Sequence, residues 1–441
     1  MSAPTLVQPT EQALQTPRWS LSTRVSFRFC FVYLGLFCLT TQIATSLFSP
    51  SQGEVIPDPA TIWPMRQLIL WTAAHVFHRT ATLAGGGNSA SGDFLFGWVL
   101  AFSLLILAAV STVIWSLADK KRENYANLHK WFELFIRFCL AGQLLNYGFA
   151  KAIPNQMPFP SLLRLTEPFG NFSPMGVLWS SIGAAPAYEI FTGCVEVLAG
   201  LLLFIPRTTA LGAWISLAAM IEVFILNMTY DVPVKLFSFH LILLSLFLVA
   251  PEFKPMFDFF LLKRRVSPSA EVPLFAAHRA NRVALAGQLL FGVWLIGMNA
   301  RSGWDEWYEY GGARPVSPLY GVWEVSQELI DEQVRPPLLT DSTRPRRLIF
   351  DFPSRMAFQA MDDTFVFYGS SININDKTLL LTSKAGKKAS FSFNRSRQNQ
   401  LTLDGAMESH KIHMELRLVD TSKLLLVSRG FHWIQESAFN R

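Results

Sequence analysis

The sequence predicts an α-helical membrane bundle of about seven transmembrane helices, followed by an antiparallel β barrel or sandwich. Hydrophobic residues make up 51% of the 441 residues and charged residues only 16%, a balance that is unusual for a soluble domain. The apolar residues cluster in runs of about 20, the length that a helix needs to cross a bilayer. After Asn299 the pattern changes to short alternating runs, which are typical of strands.

Seven apolar runs are predicted to span the membrane. They cover residues 26–48, 93–117, 131–152, 186–205, 208–228, 234–250 and 280–300. The predicted parts of the chain are a disordered cytoplasmic N-terminus (1–25), two helices with an external loop (26–130), a four-helix core (131–255), a cytoplasmic loop with the seventh helix (256–303) and an extracytoplasmic β-domain (304–441). Membrane lipids are therefore expected partners of the helical parts.

Basic residues near the helix ends set the expected orientation, because lysine and arginine stay on the cytoplasmic side. Lys120–Arg122, Arg207 and Lys263–Arg265 fall in segments that seven spans would place on one side. The N-terminus lies on that side too, so the β-domain is expected outside the cytoplasm. These flanks account for much of the net charge of +6, and no nucleic-acid partner is expected.

Two long loops are expected on the external face, at 49–92 and 153–184, and loops of this length are commonly lids or site-forming elements. Ser91 or Asp93 would suit the N-cap of the second span. The four cysteines all fall within predicted spans and form no C-x-x-C pair, so we interpret them as small apolar residues. No catalytic or metal-binding motif is recognisable, and no metal is expected.

Nine short runs beyond residue 304 predict strands. They are Tyr320–Val325, Arg347–Phe350, Met356–Met361, Thr364–Tyr368, Thr378–Leu381, Ala389–Phe393, Gln400–Leu403, Lys411–Leu418 and Lys423–Val427. Turn residues such as Asp404-Gly405 separate the runs. Eight or nine strands at this spacing favour a closed barrel or a sandwich.

The first of these strands carries Gly321-Val322-Trp323, and Arg429 lies near the end of the last. This combination resembles the lipocalin pattern, in which a first-strand tryptophan packs under a late arginine. The resemblance favours a barrel over a sandwich and predicts that Arg429 lies against Trp323.

Ionisable side chains lie inside the predicted spans, where a charge costs several kcal/mol unless it is paired or reaches water. Lys151 follows Arg137 by fourteen residues, about four helical turns, so both lie on one face of the third span. Tyr147 lies one turn before Lys151 on the same face. This face therefore carries a cation near each end.

The fourth span carries two acidic residues on one face, as the third span carries two basic ones. Glu189 and Glu196 are seven residues apart and so share a face of the helix. Gly193 and Gly200 would let another helix backbone approach closely. The acidic face of this span could therefore pack against the basic face of the third.

A third group of titratable residues surrounds the turn between the fifth and sixth spans. Tyr230, Asp231 and Lys235 lie in the turn, and His240 lies inside the next span, where it could transfer protons. Two interpretations stay open for all the intramembrane charges. They could be buried ion pairs that fix the helix register, or they could form a polar pocket that binds a ligand or passes protons.

Residues 131–250 also carry a recognisable pattern. The first helix of the segment has Arg137 near its start and Gly148-Phe149-Ala150-Lys151 near its end, and the second has an acid followed by glycine in Glu196–Gly200. With these features the segment resembles the DoxX/DoxD group of bacterial four-helix membrane proteins. The resemblance implies a DoxX-like core in a bacterial cytoplasmic membrane.

The same resemblance implies a redox-associated membrane subunit, because DoxD-like proteins are associated with thiosulfate:quinone oxidoreduction and DoxX-like ones with oxidative stress. A quinone or similar amphiphile is the possible cofactor, and a partner subunit would supply the electrons. The expected catalytic residues are His240, Lys151 and Glu196. The residues expected to bind the cofactor are Arg137, Tyr147, Glu189, Tyr230 and Asp231.

Two other functions remain open. The chain could be a non-enzymatic membrane assembly or lipid-binding protein whose buried charges lock helices together. It is also similar, more remotely, to membrane proteins related to the vitamin K-dependent carboxylase, which join a helical bundle to an extracytoplasmic β-domain. That similarity would make Lys151 or His240 a catalytic base.

Overall fold

A computed structural model describes residues 18–49, 57–82, 92–265 and 273–440. These residues form two compact units. The helical unit comprises the described residues up to Ala152 together with Phe191–Gly303. The barrel unit comprises Ile153–Ile190 together with the described residues from Trp304 onward, so the segment predicted as a long external loop belongs with the β-domain.

Thirteen α-helices occur among the described residues. They are α1 (Leu21–Thr40), α2 (Gln42–Thr45), α3 (Met65–His75), α4 (Leu95–Ala118), α5 (Ala126–Ala152), α6 (Leu162–Thr166), α7 (Pro174–Gly183), α8 (Pro186–Phe204), α9 (Thr209–Thr229), α10 (Lys235–Val249), α11 (Phe253–Phe260), α12 (His278–Glu309) and α13 (Leu425–Ser428). Most of the N-terminus predicted to be disordered lies outside the described residues, but α1 begins at Leu21, within it.

Six of the described helical segments are long and apolar enough to cross a membrane. Five of them begin at the N-terminal ends of α1, α4, α8, α10 and α12. The remaining one begins at Pro206, just before α9. The third predicted span, 131–152, corresponds to α5, whose 27 residues include Arg137 and Lys151 and are too polar to qualify by composition. Ile136, Leu140 and Leu144 of α5 are nonetheless buried in the apolar core of the unit. The chain is therefore an integral membrane protein with a helical membrane region.

Glycines bring α5 and α8 close together, as predicted for Gly193 and Gly200. A Cβ atom added to Gly193 would collide with the backbone nitrogen of Ala152 and lie 2.6 Å from the carbonyl oxygen of Gly148. One added to Gly200 would lie 3.4 Å from the carbonyl oxygen of Ala141. The prediction of a close backbone approach is confirmed, and its physical basis is the absence of a side chain at these contacts.

The predicted N-cap of the second span is wrong for Asp93, and Ser91 lies outside the described residues. Helix α4 begins after Phe94, which makes no side-chain capping bond. The Asp93 carboxylate instead accepts the backbone N–H groups of Lys235 and Leu236, at 3.0 and 2.9 Å. It therefore caps the first turn of α10, where unpaired N–H groups favour a negative charge.

The β-domain is a closed antiparallel barrel. Its strands are β1 (Gly321–Ile330), β2 (Gln333–Val334), β3 (Pro345–Phe352), β4 (Arg355–Ala360), β5 (Phe365–Asn373), β6 (Thr378–Ser383), β7 (Lys388–Arg397), β8 (Gln400–Met407) and β9 (His410–Leu418). Strands β1 and β3 to β9 pair in sequence order, and β1 also pairs with β9, which closes eight strands into the barrel. Short β2 only extends a hairpin from β1. The barrel alternative is confirmed over the sandwich.

The strand predicted at Lys423–Val427 is wrong. This segment contains a 3₁₀ turn at Thr421–Lys423 followed by α13. Pairing of β9 with β1 completes the barrel before this segment begins, and a closed barrel offers no edge to a further strand. An apolar run alone could not reveal that the sheet was already closed.

Helix α6 covers part of the outside of the barrel. Leu162 packs against Val322, Ile349 and Ala357, which are buried although they face away from the main barrel core. The Gln359 side chain donates to the carbonyl oxygen of Thr166 at 3.1 Å. The segment after α5 therefore contributes a wall of the barrel unit.

Trp323 lies in the barrel core, but the predicted partner Arg429 is wrong. The Trp323 indole N–H donates to the carbonyl oxygen of Leu319 at 2.9 Å, and the guanidinium of Arg395 lies 5.5 Å from the ring centroid. Arg429 lies over Phe439 instead. Arg395 comes from β7, so the stacking arginine is supplied by the middle of the barrel rather than by its end.

Replacing Trp323 with alanine should lower the free energy of unfolding of the barrel by about 3–5 kcal/mol, because a fully buried aromatic ring is lost. Arg395→Ala should lower the free energy of unfolding by about 0.5 kcal/mol, because the cation–π contact with Trp323 is lost. The control Arg429→Ala removes no contact of Trp323 and should not lower the free energy of unfolding in this way. Thermal unfolding of the full chain in micelles, followed by near-UV circular dichroism, checks this. Equal effects of the two arginine variants on the Trp323 signal would contradict it.

A charged cluster joins β1 to the segment between β2 and β3. Arg335 and Arg344 each lie 3.7 Å from Glu328, and Arg335 donates to both carboxylate oxygens of Asp341, at 2.6 and 2.8 Å. Burial raises the pKa of Glu328 despite the two arginines. Burial also acts to raise the pKa of Asp341, but hydrogen bonds from Thr343 and Arg335 outweigh it and lower that pKa to about 2.

Asp341 should make the barrel unit sensitive to acid. Because its pKa is lower in the folded chain than the usual value of about 3.9, its interactions stabilise the fold above about pH 4 and are lost as the pH falls towards 2. Asp341→Asn should therefore flatten the fall in melting temperature between pH 4 and 2, and Arg335→Gln should flatten it in part. The measurement is melting temperature against pH, and a slope identical to that of the unmodified chain would refute this role.

Candidate functional site

Lys151 and Glu196 form a buried ion pair between α5 and α8. The Lys151 Nζ atom donates to both carboxylate oxygens of Glu196, at 2.7 and 2.8 Å. The two residues are only 7% and 2% exposed. Each of these two predicted catalytic residues therefore neutralises the charge of the other. A buried pair of this kind can fix the packing of two helices, and it can also serve as a proton-transfer site.

Arg137 lies further along α5 and has a different partner. Its Nε and Nη2 atoms donate to the backbone carbonyl oxygen of Leu203, at 2.9 and 2.8 Å. Leu203 lies in the last turn of α8, where carbonyl groups lack partners within the helix and carry a partial negative charge. Arg137 therefore binds the C-terminal end of α8, and Lys151 binds the Glu196 side chain of the same helix.

Two other predicted binding residues also have separate partners. The Tyr147 hydroxyl accepts a hydrogen bond from the Gln42 side chain at 3.2 Å. Glu189 belongs to the barrel unit, where its carboxylate accepts the backbone N–H of Met157 at 2.9 Å. The structure pairs Lys151 with Glu196, and the role of the set in binding a cofactor stays a prediction.

His240 forms a hydrogen-bonded pair with Tyr33 of α1. The Nδ1 atom lies 2.7 Å from the carbonyl oxygen of Leu236 and must donate to it, because a carbonyl oxygen can only accept. In the neutral ring Nε2 therefore accepts from the Tyr33 hydroxyl, at 2.9 Å. The Phe37 ring stacks on the imidazole with centroids 3.6 Å apart. This pair lies on α1 and α10, apart from the α5–α8 contacts.

The turn before α10 is an ionic network. Lys235 Nζ donates to Asp231 at 2.8 Å and lies 3.6 Å from Asp93. Asp231 has a φ of 52°, a left-handed conformation that aspartate tolerates in turns. Tyr230 is the C-cap of α9, and its backbone N–H donates to Leu226. These contacts give Asp231 and Tyr230 a clear part in shaping the turn.

An open cavity of about 500 Å³ lies beside the N-terminal part of α5 and the start of α12. The residues that shape it include Trp131, Leu134, Phe275, Val283, Ala284 and Gln288. The Trp131 and Phe275 rings meet edge to face with centroids 5.5 Å apart. Lys130 donates to the carbonyl oxygen of Pro273 at 3.3 Å, which ties the segment before α12 to α5. The cavity is almost entirely apolar.

Gln288 supplies a polar side chain to this cavity. It is 8% exposed, and its Nε2 atom donates to the carbonyl oxygen of Ala284 at 3.3 Å. Its Oε1 atom is buried and has no hydrogen-bond partner among the described residues. A buried amide oxygen left without a partner costs about 1–3 kcal/mol. Because this oxygen has almost no accessible surface, a ligand in the cavity does not reach it.

Sequence reasoning missed Gln288 and Tyr33, and it assigned Asp93 to the wrong helix. A glutamine inside an otherwise apolar run was a detectable signal for Gln288. The partners of His240 and Lys235 were not detectable, because Tyr33 and Asp93 lie far away in the sequence. Among the residues that the structure describes, no group of three or more His, Cys, Asp or Glu side chains could hold a metal ion.

Comparisons with known proteins add one relative. No family model matches the chain, and no solved structure matches it. The uncharacterised protein YwoB of Bacillus subtilis strain 168 is 31% identical over 127 residues, which cover 27% of this chain and 72% of YwoB. The chain belongs to the YwoB family. Because YwoB is itself uncharacterised, membership of the YwoB family assigns no activity, and the function has to be argued from the sites.

Replacing Lys151 alone with methionine should destabilise the helical unit by about 3–5 kcal/mol, because Glu196 would be left buried without its cation. The double variant Lys151→Met, Glu196→Met should recover most of that loss. Lys387→Met, which breaks an exposed ion pair with Glu408, is the control and should have little effect. Unfolding by sodium dodecyl sulfate in mixed micelles checks the series. A double variant no more stable than the single one would show that the pair does more than neutralise itself.

Proposed function

We propose that this integral membrane protein binds a quinone or similar amphiphile, and that the cavity beside Trp131, Phe275 and Gln288 is its binding site. The observation that carries the proposal is an open, almost entirely apolar cavity of about 500 Å³. Ligand sites typically measure about 300–1,000 Å³ and combine apolar walls with a few polar groups. The cavity matches this description better than the charged residues, which have partners of their own.

The position of the cavity also supports an amphiphile. Val283 and Trp131 at its border are 73% and 45% exposed, and these are apolar side chains of a membrane protein. Such surface lies in hydrocarbon without cost, so an alkyl or isoprenoid chain could enter from the lipid. A fully polar metabolite would lose hydration at these walls without replacement.

The redox part of the proposal rests on the resemblance to DoxD-like proteins. Reduction of a quinone to a quinol takes up two electrons and two protons. A partner subunit would supply the electrons, and the hydrogen-bonded Tyr33–His240 pair of α1 and α10 has groups that can transfer protons.

A second function, a non-enzymatic membrane assembly with locked helices, is favoured by a different observation. Lys151 binds Glu196, and Arg137 binds the end of α8. Lys151 and Arg137 therefore fix the same neighbouring helix. In this alternative the cavity holds a structural lipid and no chemistry follows.

Photolabelling tests amphiphile binding. The full chain in lipid nanodiscs is irradiated with an alkyl diazirine probe, and labelled peptides are mapped by mass spectrometry. We expect labelling of the peptides that contain Trp131, Phe275 and Val283 to saturate and to be reduced by an excess of a short-chain ubiquinone or of extracted membrane lipid. Labelling that rises linearly with probe and resists competition would contradict the proposal.

Filling the cavity provides the matched control. Ala284 lines the cavity, so Ala284→Phe should reduce saturable labelling at least about fivefold. Ala109 is exposed on α4, and Ala109→Phe should leave labelling unchanged. Competition by the ubiquinone but not by the lipid favours the redox function, and the reverse favours the assembly alternative.

A further inference from the structure

We propose that the C-terminal tail of the barrel unit binds the lipid surface through three exposed apolar side chains, Phe431, Trp433 and Ile434, which form an apolar tip. The tip would give the chain a second contact with the membrane, in addition to its spanning helices. This contact does not depend on the cavity beside α12 or on any ligand bound there.

The apolar tip is strongly exposed. Phe431, Trp433 and Ile434 are 77%, 91% and 80% exposed. The Phe431 and Trp433 rings meet edge to face with centroids 5.1 Å apart, so the two rings form one patch. Exposed patches of large apolar side chains mark sites that bind proteins or membranes. Tryptophan in particular favours the boundary between lipid and water.

A folded loop carries the apolar tip. The Arg429 guanidinium donates to the Gln435 side-chain oxygen at 3.1 Å and lies 4.1 Å from the Phe439 ring centroid. Gly430 has a φ of 62°, a conformation that glycine adopts readily, and turns the chain at the start of the loop. The contacts of Arg429 therefore join the two ends of the loop, and the apolar tip lies between them.

The tail leaves the barrel at the end where the chain enters it from α12. Trp323 of β1 pairs with Leu418, the last residue of β9, and the Val419 N–H donates to the carbonyl oxygen of Val322 at 2.8 Å. Residues 310–320 connect β1 to α12, which is long and apolar enough to span the membrane. A connection of that length reaches at most about 40 Å when fully extended. The chain therefore keeps this end of the barrel near the membrane.

The aromatic end of α12 favours lipid as the occupant of the tip. Trp304 and Tyr308 are more than half exposed, and their ring centroids lie 5.6 Å apart. Such rings at the end of a spanning helix typically lie at the level of the lipid headgroups. A bilayer tethered within the same chain has a high effective concentration, so weak affinity is enough for the tip to bind it. A soluble partner would lack this advantage.

Photolabelling from within the bilayer tests the proposal. The full chain is placed in nanodiscs that hold one copy each and contain a phosphatidylcholine with a diazirine on its acyl chain, and labelled peptides are mapped by mass spectrometry. We expect labelling of the peptide 430–441. Leu339 is 73% exposed but lies between β2 and β3, at the opposite end of the barrel, so its peptide should stay unlabelled. Labelling of the two peptides at the same level would overturn the proposal.

Polar substitutions provide the matched variants. Replacing the apolar tip by Phe431→Ser, Trp433→Gln and Ile434→Gln should reduce labelling of the peptide 430–441 at least about fivefold, because interfacial binding scales with the apolar area buried. Labelling of α12 should not change. The control Leu339→Gln should leave labelling of both segments as it is. All four side chains are exposed, so the melting temperature should stay that of the unmodified chain.

Two further outcomes would also overturn the proposal. One is a triple variant that is labelled as strongly as the unmodified chain. The other is an unlabelled tip in discs with one copy, together with cross-links between tails in discs with two copies, which would assign the tip to a second copy of the chain. Competition at the cavity beside α12 is measured separately, so neither outcome bears on amphiphile binding there.

Discussion

The helical unit depends on a lysine and a glutamate that can stay buried only if they stay together. Separating Lys151 from Glu196 would leave a charge in a medium that solvates it poorly. Their 2.7 Å contact lies beside a close approach of α5 and α8, which Gly148 and Gly193 make possible. Close packing and charge neutralisation are therefore one constraint, since a larger residue at Gly193 would separate the charges as well as the helices.

Arg137 extends this constraint to the other end of α8. Lys151 holds a side chain near the middle of that helix, whereas Arg137 holds the Leu203 carbonyl oxygen in its last turn. Sliding α8 by one turn along α5 would break both contacts. The register of the two helices is thus defined at two positions along α8, and neither contact needs a ligand to explain it.

Patterns within one helix or strand could be predicted from the sequence, but partners across the fold could not. The shared face of Arg137 and Lys151 and the close approach at Gly193 follow from helical periodicity. Alternation likewise predicts β7, where Phe391 and Phe393 face the core. The cap that Asp93 provides for α10 spans 142 residues and leaves no local trace. The stacking of Arg395 on Trp323 leaves no local trace either, because it depends on how the barrel closes.

The cavity and the buried charges of α5 have different parts in the helical unit. Lys151 binds Glu196 and Arg137 binds the end of α8, so the contacts of these cations explain them as parts of the packing. The cavity is lined mostly by hydrocarbon side chains at the start of α5 and of α12, and the Gln288 amide there donates to Ala284 of its own helix. Hydrocarbon walls hold an alkyl chain by burying apolar surface and do not require a charge. Ligand binding in this unit would therefore be driven by apolar burial rather than by the ion pairs.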